Sequence, residues 1–347
     1  MSKRTDEKRR KRITGLLLLL LLTITMLATT TYAWFTANKT VTISSLDVHV
    51  ETSSGIQIST NAVDWKTIIT DTDIKNGAYT GNFNQLPSTL TAVSTIGAVD
   101  NTSQMGRMKM YAGVVEANET TGNFEFTAEE ITTEAAGESG SYIAFDVFLK
   151  VDTTSQVYFG SGTGVTAKTG TSEKGLSNAA RIAFVKEGYG SATASASSIY
   201  TQHNPQLQVI LEPNYDSHTA YGIQQGQQYY TTYSNVNSLA AGSGNSKVSY
   251  DGVKANVTNG ILLNKTNATN NSNYFQTVTT RELPTTYSNG TYAGANTQYV
   301  QLDAGVTKVR IYMWIEGQDI DCENNASGSD LTFNVSLTLN TASVATP

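Results

Sequence analysis

Three stretches of this chain alternate apolar and polar residues with a period of two, and nothing else in the sequence limits its fold so tightly. Residues 141–151, SYIAFDVFLKV, put Ile143, Phe145, Val147, Leu149 and Val151 on one side and Tyr142, Asp146 and Lys150 on the other. Residues 309–316 alternate Val309, Ile311, Met313 and Ile315 with Arg310, Tyr312, Trp314 and Glu316. Residues 331–339 alternate Leu331, Phe333, Val335, Leu337 and Leu339 with Thr332, Asn334, Ser336 and Thr338. Successive side chains of a strand point to opposite faces, so each run predicts a strand with one face in a core and the other toward solvent. The polar segment GQDIDCENNASGSD between the last two predicts a connection of hairpin type.

Weaker runs extend the pattern. Val41, Ile43, Leu46, Val48 and Val50 alternate except for a slip at Ser44-Ser45, which predicts a strand with a bulge. Residues 56–58, 65–69, 108–114, 124–126, 176–185 and 207–211 add shorter strands, while 71–103 and the Gly/Thr-rich 160–175 read as loops. Residues 214–296, with QQGQQYYTTYSN and NKTNATNNSN, carry little apolar surface and read as a polar insertion of loops and edge hairpins. Charged residues make up 15% of the chain, and Thr, Ser, Asn, Gly and Tyr dominate the rest, a composition suited to pleated surfaces and poor for a helical bundle. About ten strands with turn residues between them predict an all-β fold, an antiparallel β-sandwich of jelly-roll type. Its body spans 34–213 and 297–347. The single cysteine, Cys322, excludes an internal disulfide, so packing and sheet hydrogen bonds must stabilise the body.

The first 33 residues follow another logic. Seven Lys/Arg fall within the first twelve positions, seven leucines occupy 16–22, and small residues close the segment at Thr31 and Ala33. Basic, apolar, then small is the order of an export signal. Its apolar part is about 16 residues, short of the roughly 20 that span a bilayer, which favours cleavage between Ala33 and Trp34 over retention as an anchor. The expectation is a secreted protein, extracellular or attached to the cell surface, with a signal helix in 1–33 that meets the membrane only before cleavage. Of 23 Lys/Arg and 29 Asp/Glu, the signal removes seven and two, leaving 16 and 27 and a net charge of −11. Without clustered cations, nucleic acid is not an expected partner.

The segment TTTYAWFTANKTVTISSLDVHV resembles the start of TasA/camelysin-like exported proteins of Gram-positive bacteria, a family of biofilm-matrix fibres with a SipW-type signal peptide. Thr31, Ala33, Trp34 and Phe35 match the family's cleavage block, and Leu46-Asp47-Val48 resembles its Leu-Asp-hydrophobic strand. The Gly that usually precedes that Leu is absent. Membership implies a jelly roll and fibre building, in which the mature N-terminal strand inserts into a neighbouring subunit.

Catalytic chemistry finds little footing. The three histidines, His49, His203 and His218, form no zinc-hydrolase motif and are expected to face solvent. Residues 162–169, GTGVTAKT, resemble a phosphate loop but have Ala167 where its second Gly belongs. No catalytic, cofactor-binding or metal residue is assigned, and the chain is not expected to be an enzyme. Calcium is the one ligand kept in view, because Glu316, Asp319, Asp321 and Glu323 concentrate acids in one loop, against the alternative of a solvated hairpin tip. The expected function is a self-associating surface or matrix protein, with partners among its own copies or related matrix proteins. The alternative is an adhesin or glycan-binding module, and an extracellular hydrolase ranks third.

Overall fold

The computed structural model describes residues 13–14, 40–50, 55–77, 79–82, 84–101, 107–117, 124–131, 140–160, 162–168, 175–214, 219, 251–253, 261–263, 275–277, 281–282, 287–288, 291–292, 299–317, 319, 321–322 and 330–339. The expected cleavage residues Thr31, Ala33 and Trp34, together with His218 and Glu323, lie outside them.

In chain order come β1 (Thr40–Val50), β2 (Gln57–Ser59), β3 (Ile68–Thr70), α1 (Asp71–Asn76), β4 (Thr89–Thr91), β5 (Ser94–Asp100), β6 (Arg107–Ala117) and β7 (Phe124–Glu130). There follow β8 (Ile143–Val151), β9 (Ser155–Phe159), β10 (Gly164–Ala167), β11 (Ala180–Gly190), α2 (Ala196–Tyr200) and β12 (Gln206–Glu212). Short strands come next: β13 (Asp251–Val253), β14 (Ile261–Leu263), β15 (Phe275–Thr277), β16 (Arg281–Glu282), β17 (Tyr287–Ser288) and β18 (Thr291–Tyr292). The chain then builds β19 (Tyr299–Leu302), β20 (Gly305–Ile315) and β21 (Asp330–Leu339). The fold is all-β, as the alternation predicts.

Two large sheets enclose one core. Sheet A runs β19-β9-β21-β1-β3, with β10 also on β21 and β4 also on β1. Sheet B runs β16-β12-β11-β20-β8-β2. Val48 and Val50 of β1 and Phe333 and Val335 of β21 share a single buried cluster with Phe145 of β8 and Ile311 of β20. These are the residues that the alternation assigns to the inner faces, and burying each stabilises the fold by about 1.5–3 kcal/mol.

The register of β1 shifts between Ile43 and Ser45, so a bulge sits at the predicted slip. Without it the odd positions Val41 and Ile43 and the even positions Leu46, Val48 and Val50 could not serve the same face.

Several expectations need correction. Sheet A is mixed rather than wholly antiparallel, because β1 runs parallel to β21, and β16 likewise runs parallel to β12 in sheet B. Alternation reports faces and is silent on direction. β20 and β21 belong to different sheets, so their connection is no hairpin. The stretch 71–103 contains α1, β4 and β5. A capping box starts α1: Thr70 accepts from the Asp73 amide, and Asp73 accepts from the Thr70 amide. In the supposed Gly/Thr loop, Val165 of β10 lies opposite Phe333 of β21.

The largest correction concerns sheet B, which is buried on both faces: every residue of β20 is buried. A third layer explains it. Sheet C, ordered β14-β7-β6-β5, lays Met108 and Met110 on Tyr142, Ala144, Tyr312 and Trp314. Farther along the same face, α2 and the 61–79 region cover Phe148 and Val306 with Ile199, Trp65, Tyr79 and Tyr200. The turn into β20 needs Gly305, whose φ is +128° and where a Cβ would stand 2.4 Å from the Gly190 carbonyl oxygen.

Candidate functional site

Between those two apolar covers, the outer face of sheet B carries a band of buried charge. Asp146 of β8 lies directly across from Arg310 of β20 in the strand register. The guanidinium donates from Nε to Asp146 Oδ1 at 2.8 Å and from Nη2 to Oδ2 at 3.1 Å, a bidentate pair between fully buried partners. Lys308, also fully buried, brings Nζ to 3.6 Å from Asp146 Oδ2 and donates to the carbonyls of Tyr200 at 3.0 Å and Gln202 at 3.3 Å. Tyr79 donates its hydroxyl to Asp146 Oδ2, and Asn84 Oδ1 accepts from the Asp146 amide at 2.9 Å.

Glu187 completes the band. It is buried at the point where the register of β11 against β20 shifts, between Lys186 and Gly188. His203 Nδ1 stands 4.0 Å from its Oε2. The carboxyls of Asp146 and Glu187 thus match the cations of Lys308 and Arg310 in number.

Electrostatics follow from this packing. Burial pushes the Asp146 carboxyl up, but Arg310 and Lys308, with hydrogen bonds from Arg310 and Tyr79, overcome that and hold it at about 2. Burial pushes the Tyr79 hydroxyl far up, and the charge of Asp146 adds to it. Burial lowers the Lys308 ammonium, and Asp146 works against that shift. Burial and the neighbouring Lys308 and Arg310 lower the His203 imidazole to about 4. His203 is therefore neutral at pH 7 and half-buried, rather than fully solvent-facing as expected.

The geometry is that of an ionic anchor. Arg310 and Lys308 meet the Asp146 carboxylate with three donors in all, counting Nζ at ion-pair distance, and aromatic rings close the band. Tyr79 lies 4.5 Å from Tyr200 and 5.4 Å from Phe148, centroid to centroid, and Lys308 Nζ stands 5.5 Å above the Tyr79 ring.

The acidic loop gives a second buried group. Glu316, Asp319 and Asp321 are fully buried, so the described part of 316–323 is not a solvated tip. Arg181 reaches Asp319 Oδ2 at 2.5 Å and Glu212 Oε1 at 3.1 Å. Asp321 accepts from Asn178 Nδ2 at 3.0 Å and from the Thr219 amide and hydroxyl at 3.0 and 2.6 Å, and Glu316 accepts from Trp314 Nε1 at 3.0 Å. Among the described residues no group of three or more His, Cys, Asp or Glu is arranged to hold a metal ion. Cys322, within the same loop, is also buried.

Sequence reasoning placed Asp146 and Arg310 on polar faces and missed their meeting. One signal was present: those faces also carry Tyr142, Tyr312 and Trp314, more aromatic surface than water-facing positions usually bear. Among the described residues no helix is long and apolar enough to cross a membrane. In comparisons with known proteins, no family model, curated protein or solved structure matches the chain.

Proposed function

We propose that this chain is an exported structural protein of the cell surface or extracellular matrix, that its mature form self-associates, and that its two large sheets form a sandwich of jelly-roll type. Residues 1–33 act as the signal, cleaved after Ala33. The observation that carries the reading is the position of β1. It is the first strand after the proposed cleavage point, yet it lies inside sheet A, between β21 on one side and β3 and β4 on the other. Val41, Leu46, Val48 and Val50 insert into the core. At about 1.5–3 kcal/mol each, their withdrawal leaves a slot that only a strand of the same pattern refills. A second copy of the chain carries that strand. Exchange would keep nearly the same hydrogen bonds and buried surface, the condition for donor-strand assembly.

Electron microscopy of the purified chain starting at Trp34 tests this, with fibres as the expected outcome. The deciding variant lacks 34–50, because removing only 34–42 takes Val41 out of the core and leaves Leu46, Val48 and Val50 in place. That core should no longer polymerise and should bind a synthetic peptide of residues 40–50. Fibres of ordinary appearance from it would rule out strand exchange. Glycan-array binding by particles that never assemble would favour the adhesin reading instead.

A further inference from the structure

We propose that residues 57–91 form a strap that guards the outer edge of β1, and that its attachment to sheet B controls how readily β1 can leave. The path of the chain carries the inference. After β1 the polypeptide pairs β2 with β8 of sheet B, then crosses to pair β3 with β1. It returns to sheet B, where Tyr79 and Asn84 hold Asp146 and Gln85 pairs with Ala144 of β8, then crosses again to pair β4 with β1. Two crossings in each direction stitch the edge of one sheet to the edge of the other.

An uncovered strand edge offers its amides and carbonyls to any other strand, and the strap takes up that capacity on β1. The Ile43 amide donates to the Ser88 carbonyl at 2.9 Å and the Val50 amide to the Thr67 carbonyl at 2.8 Å, one near each end of the strand. On the sheet B side the grip is polar and specific. Gln85 exchanges backbone hydrogen bonds with Ala144 at 2.7 and 2.9 Å and donates its side-chain amide to the Tyr142 carbonyl at 2.7 Å. Tyr200 of α2 donates its hydroxyl to the Asn61 carbonyl at 2.5 Å. The strap holds β1 by three paired residues at each end, so its persistence depends on these anchors. Detached from them, it leaves β1 with β21 as its one neighbour. The buried ion group thereby acquires a role beyond rigidity, since Asp146 is fixed by Arg310 and in turn fixes the strap.

The link to assembly rests on the strand-exchange reading; the strap itself does not. Hydrogen exchange on the mature chain separates the two. In Tyr79→Phe/Asn84→Ala two anchors are lost while the ring at 79 stays, and exchange at the Ile43 and Val50 amides should quicken about tenfold and stay faster than that of β11 and β20 amides, which open only with the whole fold. Conversely, Thr42→Cys/Thr89→Cys joins two exposed residues that face each other in the register, and its oxidised form should slow exchange at Ile43 and delay assembly until a reductant is added. The strap is overturned if Ile43 and Val50 exchange no faster than β11 and β20, or if the cross-link leaves Ile43 unaffected. Exchange that behaves as expected, in a chain whose variants never assemble, overturns strand exchange and leaves the strap standing.

Discussion

Replacing Asp146 with Ala removes the acceptor shared by Arg310 and Lys308 without removing either cation from its enclosed position. Two routes give the size of the effect. The carboxyl is held at about 2 against an ordinary 3.8, and at about 1.36 kcal/mol per pH unit this favours its charged form by about 2–3 kcal/mol. Truncation costs more than that, because both cations are fully buried and the bidentate guanidinium would face an empty site; breaking a buried pair from one side typically costs about 3–5 kcal/mol. Urea unfolding followed by tryptophan fluorescence measures it. With a slope of about 3 kcal/mol per molar urea, the midpoint should fall by about 1–1.7 M. The paired change Asp146→Leu/Arg310→Met should cost less than the sum of the two single substitutions, since the guanidinium is then no longer stranded, although Lys308 still loses its carboxylate. A midpoint for Asp146→Ala within about 0.3 M of the parent chain, or strictly additive losses in the pair, would show that water reaches this band and that the argument from burial is unsound.

Stability should fall in two stages with acid. His203 is lowered from 6.5 to about 4, so the unfolded chain takes up a proton that the folded chain refuses, and stability declines as pH drops from about 6.5 to 4. Asp146 then withdraws its contribution as pH falls from about 3.8 toward 2, and His203→Gln should abolish only the first stage of the denaturation profile. Cys322 is buried, so thiol reagents should label it only after unfolding, and non-reducing gels of native protein should show no disulfide dimer. Millimolar calcium should leave the melting temperature unchanged, because Asp319 and Asp321 are already held by Arg181, Asn178 and Thr219; a rise of several degrees would place a cation at residues 316–323.

What was legible in the residues was whatever a period of two can encode. The long strands β8, β20 and β21, their inward faces and the bulge in β1 were all readable, because each run is long enough for alternation to declare itself. Alternation does not say what covers the second face. Asp146 and Arg310 read as solvent-facing charges, although they are buried and opposite each other across 164 residues of chain, a distance no local pattern spans. Apart from the seven-residue β5, the elements missed outright are short. Six residues of α1 complete fewer than two turns, too few for a 3.6-residue period, although Thr70 and Asp73 carried its capping signature. Four residues of β10, Gly164–Ala167, look like any Gly/Thr loop until β21 supplies a partner.

The parallel pairing of β1 with β21 has a consequence in time. Ser45 and Thr332, whose hydroxyls meet at 3.1 Å, are 287 residues apart. A ribosome adding at most about 20 residues per second completes β1 some 15 s before its neighbour exists. Throughout that interval Val41, Leu46, Val48 and Val50 have no finished core to enter, and closing so long a loop is among the slower steps a domain can require. The nascent chain therefore has its first described strand waiting longest for a partner, so its yield should depend on chaperones at the moment of synthesis more than on the stability of the finished fold. A circular permutant in which a crossover of a dozen or more residues led from β21 to β1 would fold faster and lose that dependence.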